Sequence, residues 1–406
     1  MASSERQFVV WLRDQKTGVL HAKDDYTWFV LDPGYITNPS REVLGLRFEQ
    51  DLRARHSANM RLPPWFSNLL PEGRLREWIA NDRGVSVERE MELLAEVGHD
   101  LPGAVRVLAT DETLESMSAR EVSASRPPRS AGARWRFSLA GVQLKFSMLA
   151  KGDRFTAPAT GEGGDWIVKL PDPKFPHVPS NEFAMMELAR KSGIDVPETK
   201  LVHRDDIEEV PASLWPGSET LAFAIRRFDR LPGGASVHME DLAQVRGFYP
   251  ESKYEGTFET LANLVYRRRD TRSVVELVRR LGFNVLIRNG DAHLKNWSLL
   301  YRNPRIPELS PAYDLVATSI YRDDPEDLGL KLGGSRRFET VTLSTFAALQ
   351  GRLGVPGGSF AEEADQLVEK ALAAWPELRE TLAPTSLAEA IDNVIEQSAA
   401  SLRKGR

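Results

Sequence analysis

Apolar and polar positions alternate through the first fifty residues. "QFVVWLRD" and "YTWFVLD" are short runs of β-branched and aromatic side chains, and "DPGY" supplies turn chemistry after the second. Past "LPPWFSNLLPEG" the apolar period lengthens to that of a helix, through "RLREWIANDRG" and "VEREMELLAEVG". A strand-like "GAVRVLA" follows, and residues 113–133, "TLESMSAREVSASRPPRSAGA", then lose aromatics and gain Ser, Arg and Pro, as a linker does.

From 134 to about 230 the pattern is that of strands again: "WRFSLAG", "LKFSMLA", "DWIVKLP", "TKLVH" and "LAFAIRRFD". One helix interrupts them, "SNEFAMMELARKSG", with Ser180 or Asn181 as its expected cap and Gly193 as its stop. Beyond 235 the chain reads as mostly helical. Near its end "SLAEAIDNVIEQ" has the form of a capping box, Ser386 to Glu389, with Leu387, Ala390, Ile391 and Val394 on one face. No internal repeat is visible. The expectation is an α+β chain in four parts: an N-terminal α/β subdomain (1–112), a linker (113–133), a β-rich lobe (134–232) and a mainly helical lobe (233–406), with a cleft between the two lobes.

Composition narrows the function classes. The chain has 406 residues, 41% of them hydrophobic and 27% charged, which suits large cores and excludes wholesale disorder. A net charge of −5 argues against coating nucleic acid by bulk electrostatics. The absence of cysteine removes disulfides, thiolate metal sites and cysteine nucleophiles, and fits a reducing compartment. "MASSERQFVVWLRDQ" lacks the basic and apolar regions of a secretory signal, and no apolar run nears the roughly 20 residues of a membrane span, so a cytoplasmic protein is expected.

The chemistry concentrates in "RNGDAHLKNWSLLY", residues 288–301, where Asp291, His293, Lys295 and Asn296 crowd together between aliphatic stretches. Phosphoryl transfer needs a carboxylate beside the attacking hydroxyl, and an amide and second carboxylate to hold Mg²⁺ against phosphates. Asp291 and Asn296 have the Asp-to-Asn spacing of a protein-kinase catalytic loop. A second carboxylate belongs a short hairpin later, and Asp314 in "SPAYDLVAT" stands there. Lys169, ending the strand "DWIVKLP", is the candidate for the α/β-phosphates of ATP, and Glu182 on the next helix is its candidate partner. His293 either orients Asp291 or is a satisfied buried histidine. No glycine-rich nucleotide motif is present; the nearest segment is "FSLAGVQLKFSML" with a lone Gly141. The arginines of 267–280 read first as a solvated helix face, and Trp65, Phe66 and Leu69 as core.

Taken in order, "FSLAGVQLKFSML", "WIVKLP", "NEFAMMELA", "AIRRFDR", "EDLAQ", "SKYE", "NGDAHLKN" and "PAYDL" resemble the HipA family of serine/threonine kinase toxins. "FSNLLPEG" and "LLAEVGHDLPGAV" resemble that family's amino-terminal subdomain, although "FSNLLPEG" suggests no chemical role. The resemblance implies a two-lobed protein-kinase-like fold with ATP and Mg²⁺ as cofactors. It makes Asp291 the catalytic base, Asn296 and Asp314 the metal ligands and Lys169 a phosphate contact. Arg226, Arg227 and Phe228 become the hinge whose backbone meets the adenine, with Asp229 close to the ribose. The family more often has Glu at the position of Arg226, so a side-chain role there is in doubt. Ser138, Ala140, Gly141, Val142 and Gln143 match the phosphate loop, and Ser138 matches its autophosphorylated serine, where a dianion repels ATP phosphates. By the same resemblance the substrate is a protein of the translation machinery such as an aminoacyl-tRNA synthetase. The partner is a HipB-like helix-turn-helix antitoxin, with operator DNA reached only through it.

Two other readings remain open at this level. Antibiotic and sugar kinases use a similar "GD-x-H-x-x-N" loop, which "GDAHLKN" would suit, but they need neither the N-terminal subdomain nor the "SLAG" segment. A pseudokinase acting as co-repressor with a DNA-binding antitoxin is the other, and such a dead site has no physical need to keep Lys169, Asp291, Asn296 and Asp314 together.

Overall fold

The structure, a computed structural model, describes residues 5–110, 145–152, 154–156, 163–208, 210, 214–215, 217–321 and 327–404. The expected linker and the segment from Ser138 to Gln143 lie outside the described residues.

The first sheet is antiparallel, with β1 (Arg6–Leu12), β2 (Gln15–Lys23), β3 (Tyr26–Leu31), β4 (His56–Asn59) and β5 (Val105–Ala109) in the order β4-β3-β2-β1-β5. Phe8, Val10 and Leu12 alternate inward along β1, as a period of two requires. β2 escapes the sequence reading because polar side chains punctuate it. At its Gly18 an added Cβ would lie 2.4 Å from the Val30 carbonyl oxygen, so glycine lets β3 approach. The "DPGY" turn is helical instead: Asp32 caps the short helix Pro33–Thr37 by accepting from the Gly34 N–H at 2.8 Å.

The second sheet contains β6 (Lys145–Lys151), β7 (Arg154–Thr156), β8 (Trp166–Lys169), β9 (Thr199–His203) and β10 (Leu221–Arg226), in the order β7-β6-β8-β10-β9. β10 is apolar at every position from Leu221 to Ile225 because both of its faces are covered. Ala222 and Ala224 join the core of the first sheet, with Phe146, Met148 and Val168, whereas Phe223 and Ile225 join the core that runs into the helical lobe. The N-terminal subdomain is therefore packed on the outer face of the β-rich lobe.

The helix Val178–Lys191 lies on the inner face, starting earlier than its side chains predict, after His177 at φ +60° and with Pro179 in the first turn. Ser180 and Asn181 are thus inside the helix and do not cap it. Asn181 instead exchanges hydrogen bonds with the backbone of Ala317, at 3.0 and 3.2 Å. The helix ends as expected, with Gly193 at φ +90°.

The remaining lobe is helical, as expected, around Phe258–Tyr266, Thr271–Leu286, Leu343–Leu353, Phe360–Thr381 and Thr385–Leu402. It also carries strands the sequence reading did not separate: a sheet of β11 (His238–Asp241), β12 (Ser298–Asn303) and β13 (Ile306–Leu309), and a hairpin of β14 (Asp327–Leu332) and β15 (Ser335–Arg337). The last helix starts at Thr385, behind Pro384, with no side-chain cap, so Ser386 does not form the expected box. Leu387 and Ile391 are buried on its inner face, and Ala390 and Val394 only half-buried. The result is two lobes in a protein-kinase-like arrangement, with a third, N-terminal layer behind the first lobe.

Candidate active site

A cleft of about 480 Å³ lies where the sheet lobe, the helical lobe and the N-terminal subdomain meet. Its volume falls within the roughly 300–1,000 Å³ typical of small-molecule sites. Lys169 ends β8 at the cleft wall with its side chain buried. Its ammonium contacts Glu182 from the helix Val178–Lys191 at 2.5 Å and also pairs with Asp314. Burial alone would lower the Lys169 pKa, but the Asp314 and Glu182 carboxylates outweigh it and hold the lysine above its ordinary range. Asp314 is likewise held down at about 2: burial opposes its charge, and Lys169, then Lys145, favours it. Lys145 of β6 pairs directly with Lys169 in the sheet register, and burial pulls it down to about 8. Sequence reading passed over Lys145 because cross-strand register is not visible in a single segment.

The catalytic loop begins where the helix Thr271–Leu286 ends, and Arg288 turns it at φ +46°. Asn289, buried and not singled out from sequence, stitches the loop together. Its amide nitrogen donates to Asn284 Oδ1 at 2.8 Å and to the Asp314 carbonyl at 3.1 Å, and its oxygen accepts from the Asp291 N–H at 3.1 Å. Asp314 sits in the left-handed region at φ +56°, a conformation this bond helps to fix. The Tyr254 hydroxyl donates to the Asp291 carboxylate. His293 packs edge-on against the Tyr254 ring, with centroids 5.1 Å apart, and burial lowers its pKa to about 4. Its buried Nδ1 has no hydrogen-bond partner among the described residues, and the Tyr254 ring is the contact that joins it to the donor of Asp291. The hydroxyl that donates to the Asp291 carboxylate is in "SKYE", 37 positions upstream, which spacing inside the loop could not reveal.

The hinge residues divide. Phe228 lines the cleft and leans on Tyr313, with ring centroids 5.7 Å apart. Arg226 is exposed and its guanidinium reaches Glu198 at 3.3 Å. Arg227 and Asp229 line the cleft and also enter a buried ion-pair cluster. The Arg227 guanidinium is buried against Asp229 at 2.8 Å and Asp100 at 3.4 Å. Asp229 also accepts from Arg230 and from the Gly103 N–H, each at 2.8 Å. Asp229 Oδ2 thus joins the lobe to the N-terminal subdomain through Gly103, while its Oδ1 accepts from Arg227 Nε at 3.0 Å within the lobe. The proximity of Arg227 and Asp229 in sequence signals this ion pair as readily as a nucleotide contact.

Among the described residues no group of three His, Asp or Glu side chains could hold a metal alone. The cleft does fit a hard cation supplied with phosphates. The Asn296 Oδ1 is buried and accepts no hydrogen bond among the described residues, leaving a free hard-oxygen donor on the same loop as Asp291. Asp314 supplies the charged oxygen, and Mg²⁺ characteristically takes only one or two carboxylates plus phosphate and water oxygens.

The HipA N-terminal domain model matches residues 8–108 and the HipA-like C-terminal domain model matches residues 137–375. The chain belongs to the HipA family. A putative kinase of Sinorhizobium fredii, Y4dM, is 40% identical to it over 361 residues, covering 87% of each chain. The serine/threonine-protein kinase toxin HipA of Shewanella oneidensis is 27% identical over 321 residues, covering 71% of this chain and 70% of that one. In the solved complex of Shewanella oneidensis HipA with HipB and operator DNA, the HipA-family fold superposes on 97% of this chain and 96% of that one, with a TM-score of 0.74 and 23% identity. Family and fold agree with a HipA-type kinase. No helix among the described residues is long and apolar enough to cross a membrane.

Proposed function

We propose that this chain is an ATP- and Mg²⁺-dependent serine/threonine protein kinase. The observation that carries this reading is the convergence of Lys169, Glu182, Asp291, Asn296 and Asp314 on one cleft from both lobes. Asp291, held by Tyr254, is placed to take the proton of a serine or threonine hydroxyl as its oxygen bonds to the γ-phosphorus. The bond from that phosphorus to the β–γ bridging oxygen breaks, and ADP leaves. Lys169 neutralises phosphate charge, while Glu182 and Asp314 fix its position. Asn296 and Asp314 would hold Mg²⁺, which supplies Lewis-acid neutralisation of phosphate oxygens when bound.

From the motif resemblance we further propose that its substrate is a protein of the translation machinery, such as an aminoacyl-tRNA synthetase, and its partner a HipB-like antitoxin. The relative solved with HipB and operator DNA supports that partner. Ser138 is assigned as the self-inactivating phosphosite from sequence. The test is incubation with Mg²⁺ and labelled ATP, then mass spectrometry of the chain and of purified aminoacyl-tRNA synthetases. Phosphate is expected on Ser138 and on one discrete protein, with Asp291→Ala losing transfer by about 10²–10⁴-fold while still binding nucleotide. Ser138→Ala is expected to remain active where the unaltered chain falls silent. Absence of phosphate on the chain and on every lysate protein would overturn the reading, and transfer to a small molecule instead would favour an antibiotic- or sugar-type phosphotransferase.

A further inference from the structure

The motif "FSNLLPEG" suggests no chemistry as a sequence, yet its glutamate stands in the cleft. Glu72 occupies the position just before the helix Gly73–Arg83 and makes no capping hydrogen bond to that helix. Its carboxylate is turned away, toward two lysines of the helical lobe: Lys295 at 2.7 Å and Lys253 at 2.9 Å. Lys295 Nζ also donates to the Asn68 carbonyl of the same motif, at 3.1 Å. The three side chains are largely withdrawn from solvent, at 14%, 11% and 5% exposure, so the interaction is poorly screened.

The two lysines are not incidental surface groups. Lys295 lies between Asp291 and Asn296. Lys253 precedes Tyr254, the hydroxyl donor to Asp291, and its carbonyl accepts from the Leu294 N–H at 3.0 Å. We infer that Glu72 is a positioning residue of the phosphotransfer centre, a carboxylate delivered by the N-terminal subdomain that holds Lys253 and Lys295, and through them the catalytic loop, in register. This rests on the kinase reading above.

The charge balance explains why a neutral residue would not serve. Without the Glu72 carboxylate, two poorly hydrated ammonium groups converge on one point with no counter-charge, and the loop must shift to separate them or bring in water. Burial works against the charge of Glu72, but Lys295 and then Lys253 hold its pKa at about 2, so the carboxylate is ionised throughout the neutral range. The segment that carries it is fixed to the helical lobe just ahead of Glu72. Trp65 Nε1 donates to Glu240 at 3.1 Å, and Asn68 Nδ2 donates to the Phe248 carbonyl at 2.7 Å.

The test compares the unaltered chain with Glu72→Gln, which keeps the shape and removes the charge, Glu72→Asp, which keeps the charge with a shorter reach, and the double variant Glu72→Gln/Lys253→Met, which removes the surplus positive charge. Steady-state phosphate transfer is read beside nucleotide affinity, and deuterium exchange is followed across residues 289–297. Glu72→Gln is expected to lower kcat on the order of 10- to 100-fold, the range a displacement of about 1 Å produces, with little change in KM for ATP. Exchange in the loop should rise, and the Asp variant and the double variant should each recover part of kcat. Should Glu72→Gln not fold, Glu72→Asp against the unaltered chain carries the same comparison. An active unaltered chain with a Glu72→Gln variant of equal kcat and equal loop exchange overturns the inference, as does a loss confined to KM for ATP. An unaltered chain without phosphate transfer refutes the kinase reading instead, and the exchange comparison then decides the positioning role by itself.

Discussion

Gly329 gives the sharpest quantitative handle on the catalytic loop. It lies in β14, and a Cβ built on it would stand 2.6 Å from the Ala292 carbonyl oxygen, 2.7 Å from its carbonyl carbon and 3.0 Å from its nitrogen. All three are backbone atoms, so no side chain can rotate away. Gly329 itself has no left-handed backbone, and the substitution Gly329→Ala would act through space alone. Ordinary contact begins near 3.4 Å, so Ala292 must retreat by about 0.8 Å. Asp291 is the adjoining residue and moves with it, away from its hydrogen bond to Tyr254. A displacement near 1 Å in a reacting group costs about 10²-fold in rate. Overpacking of this kind typically costs about 1–3 kcal/mol of stability. The assay is single-turnover phosphate transfer at saturating ATP, with nucleotide affinity and thermal melting measured on the same preparation. The expected outcome is a kcat reduced on the order of 10²-fold, nucleotide affinity near that of the parent, and a melting temperature lowered by a few degrees. Unchanged kcat with a lowered melting temperature would refute the reasoning, since it would mean that β14 yields and the loop does not.

Two further outcomes follow from the geometry around the cleft. Tyr254→Phe keeps the ring against His293 and removes the donor to Asp291; kcat should fall about tenfold, as loss of roughly 1.4 kcal/mol of a charge-assisted hydrogen bond implies, with protein-substrate affinity unchanged. Burial lowers the His238 pKa from 6.5 to about 4, so its neutral form contributes stability that is complete above pH 6.5 and is lost as pH falls toward 4, by about 3 kcal/mol in all; a His238→Gln variant should show a flatter melting profile over that window, and an identical slope in both proteins would count against the assignment. The comparison must be between variants, because burial pushes nearby Glu240 up to about 7, and that carboxylate loses stability in the opposite direction, as pH rises.

Local chemistry made much of the site readable. Asp291 and Asn296 share one loop, and the strand of Lys169 and the helix of Glu182 announce themselves by period and composition. What could not be read depends on contacts between distant segments. Tyr254, Asn289 and Glu72 act on the loop through partners that no spacing rule connects. Arg227 and Asp229 read as a hinge in sequence, and what stays hidden there is that Asp100 and Gly103, more than a hundred positions upstream, also tie them into a buried joint. The start of the helix Val178–Lys191 was displaced by the same cause. Asn181 looks like a cap by type, yet its amide is needed at Ala317 beyond the loop, and proline and a left-handed histidine begin the helix without it. β10 shows the converse. Its unbroken apolar run is uninformative about partners until two different cores are seen on its two faces.

The N-terminal subdomain touches both lobes, and the two joints differ in kind. On the sheet side, Arg227, Arg230, Asp100 and Asp229 form a buried charged cluster, and removing one member of such a pair typically costs about 3–5 kcal/mol. On the helical side the joint is spread over more contacts: the Glu72 ion pairs, the partly exposed Arg61–Glu251 pair at 3.1 Å, and hydrogen bonds such as Trp65 to Glu240 and Gln244 to the Trp65 carbonyl, each hydrogen bond with a net value of about 1 kcal/mol. The sheet-side joint is thus concentrated in one charged cluster and the helical-side joint distributed along the subdomain. Among the helical-side contacts, those of Glu72 to Lys253 and Lys295 are the ones that reach the loop carrying Asp291. A motif with no reactive group of its own therefore bears on the cleft through the two lysines it holds and through the Asn68 carbonyl that Lys295 also meets.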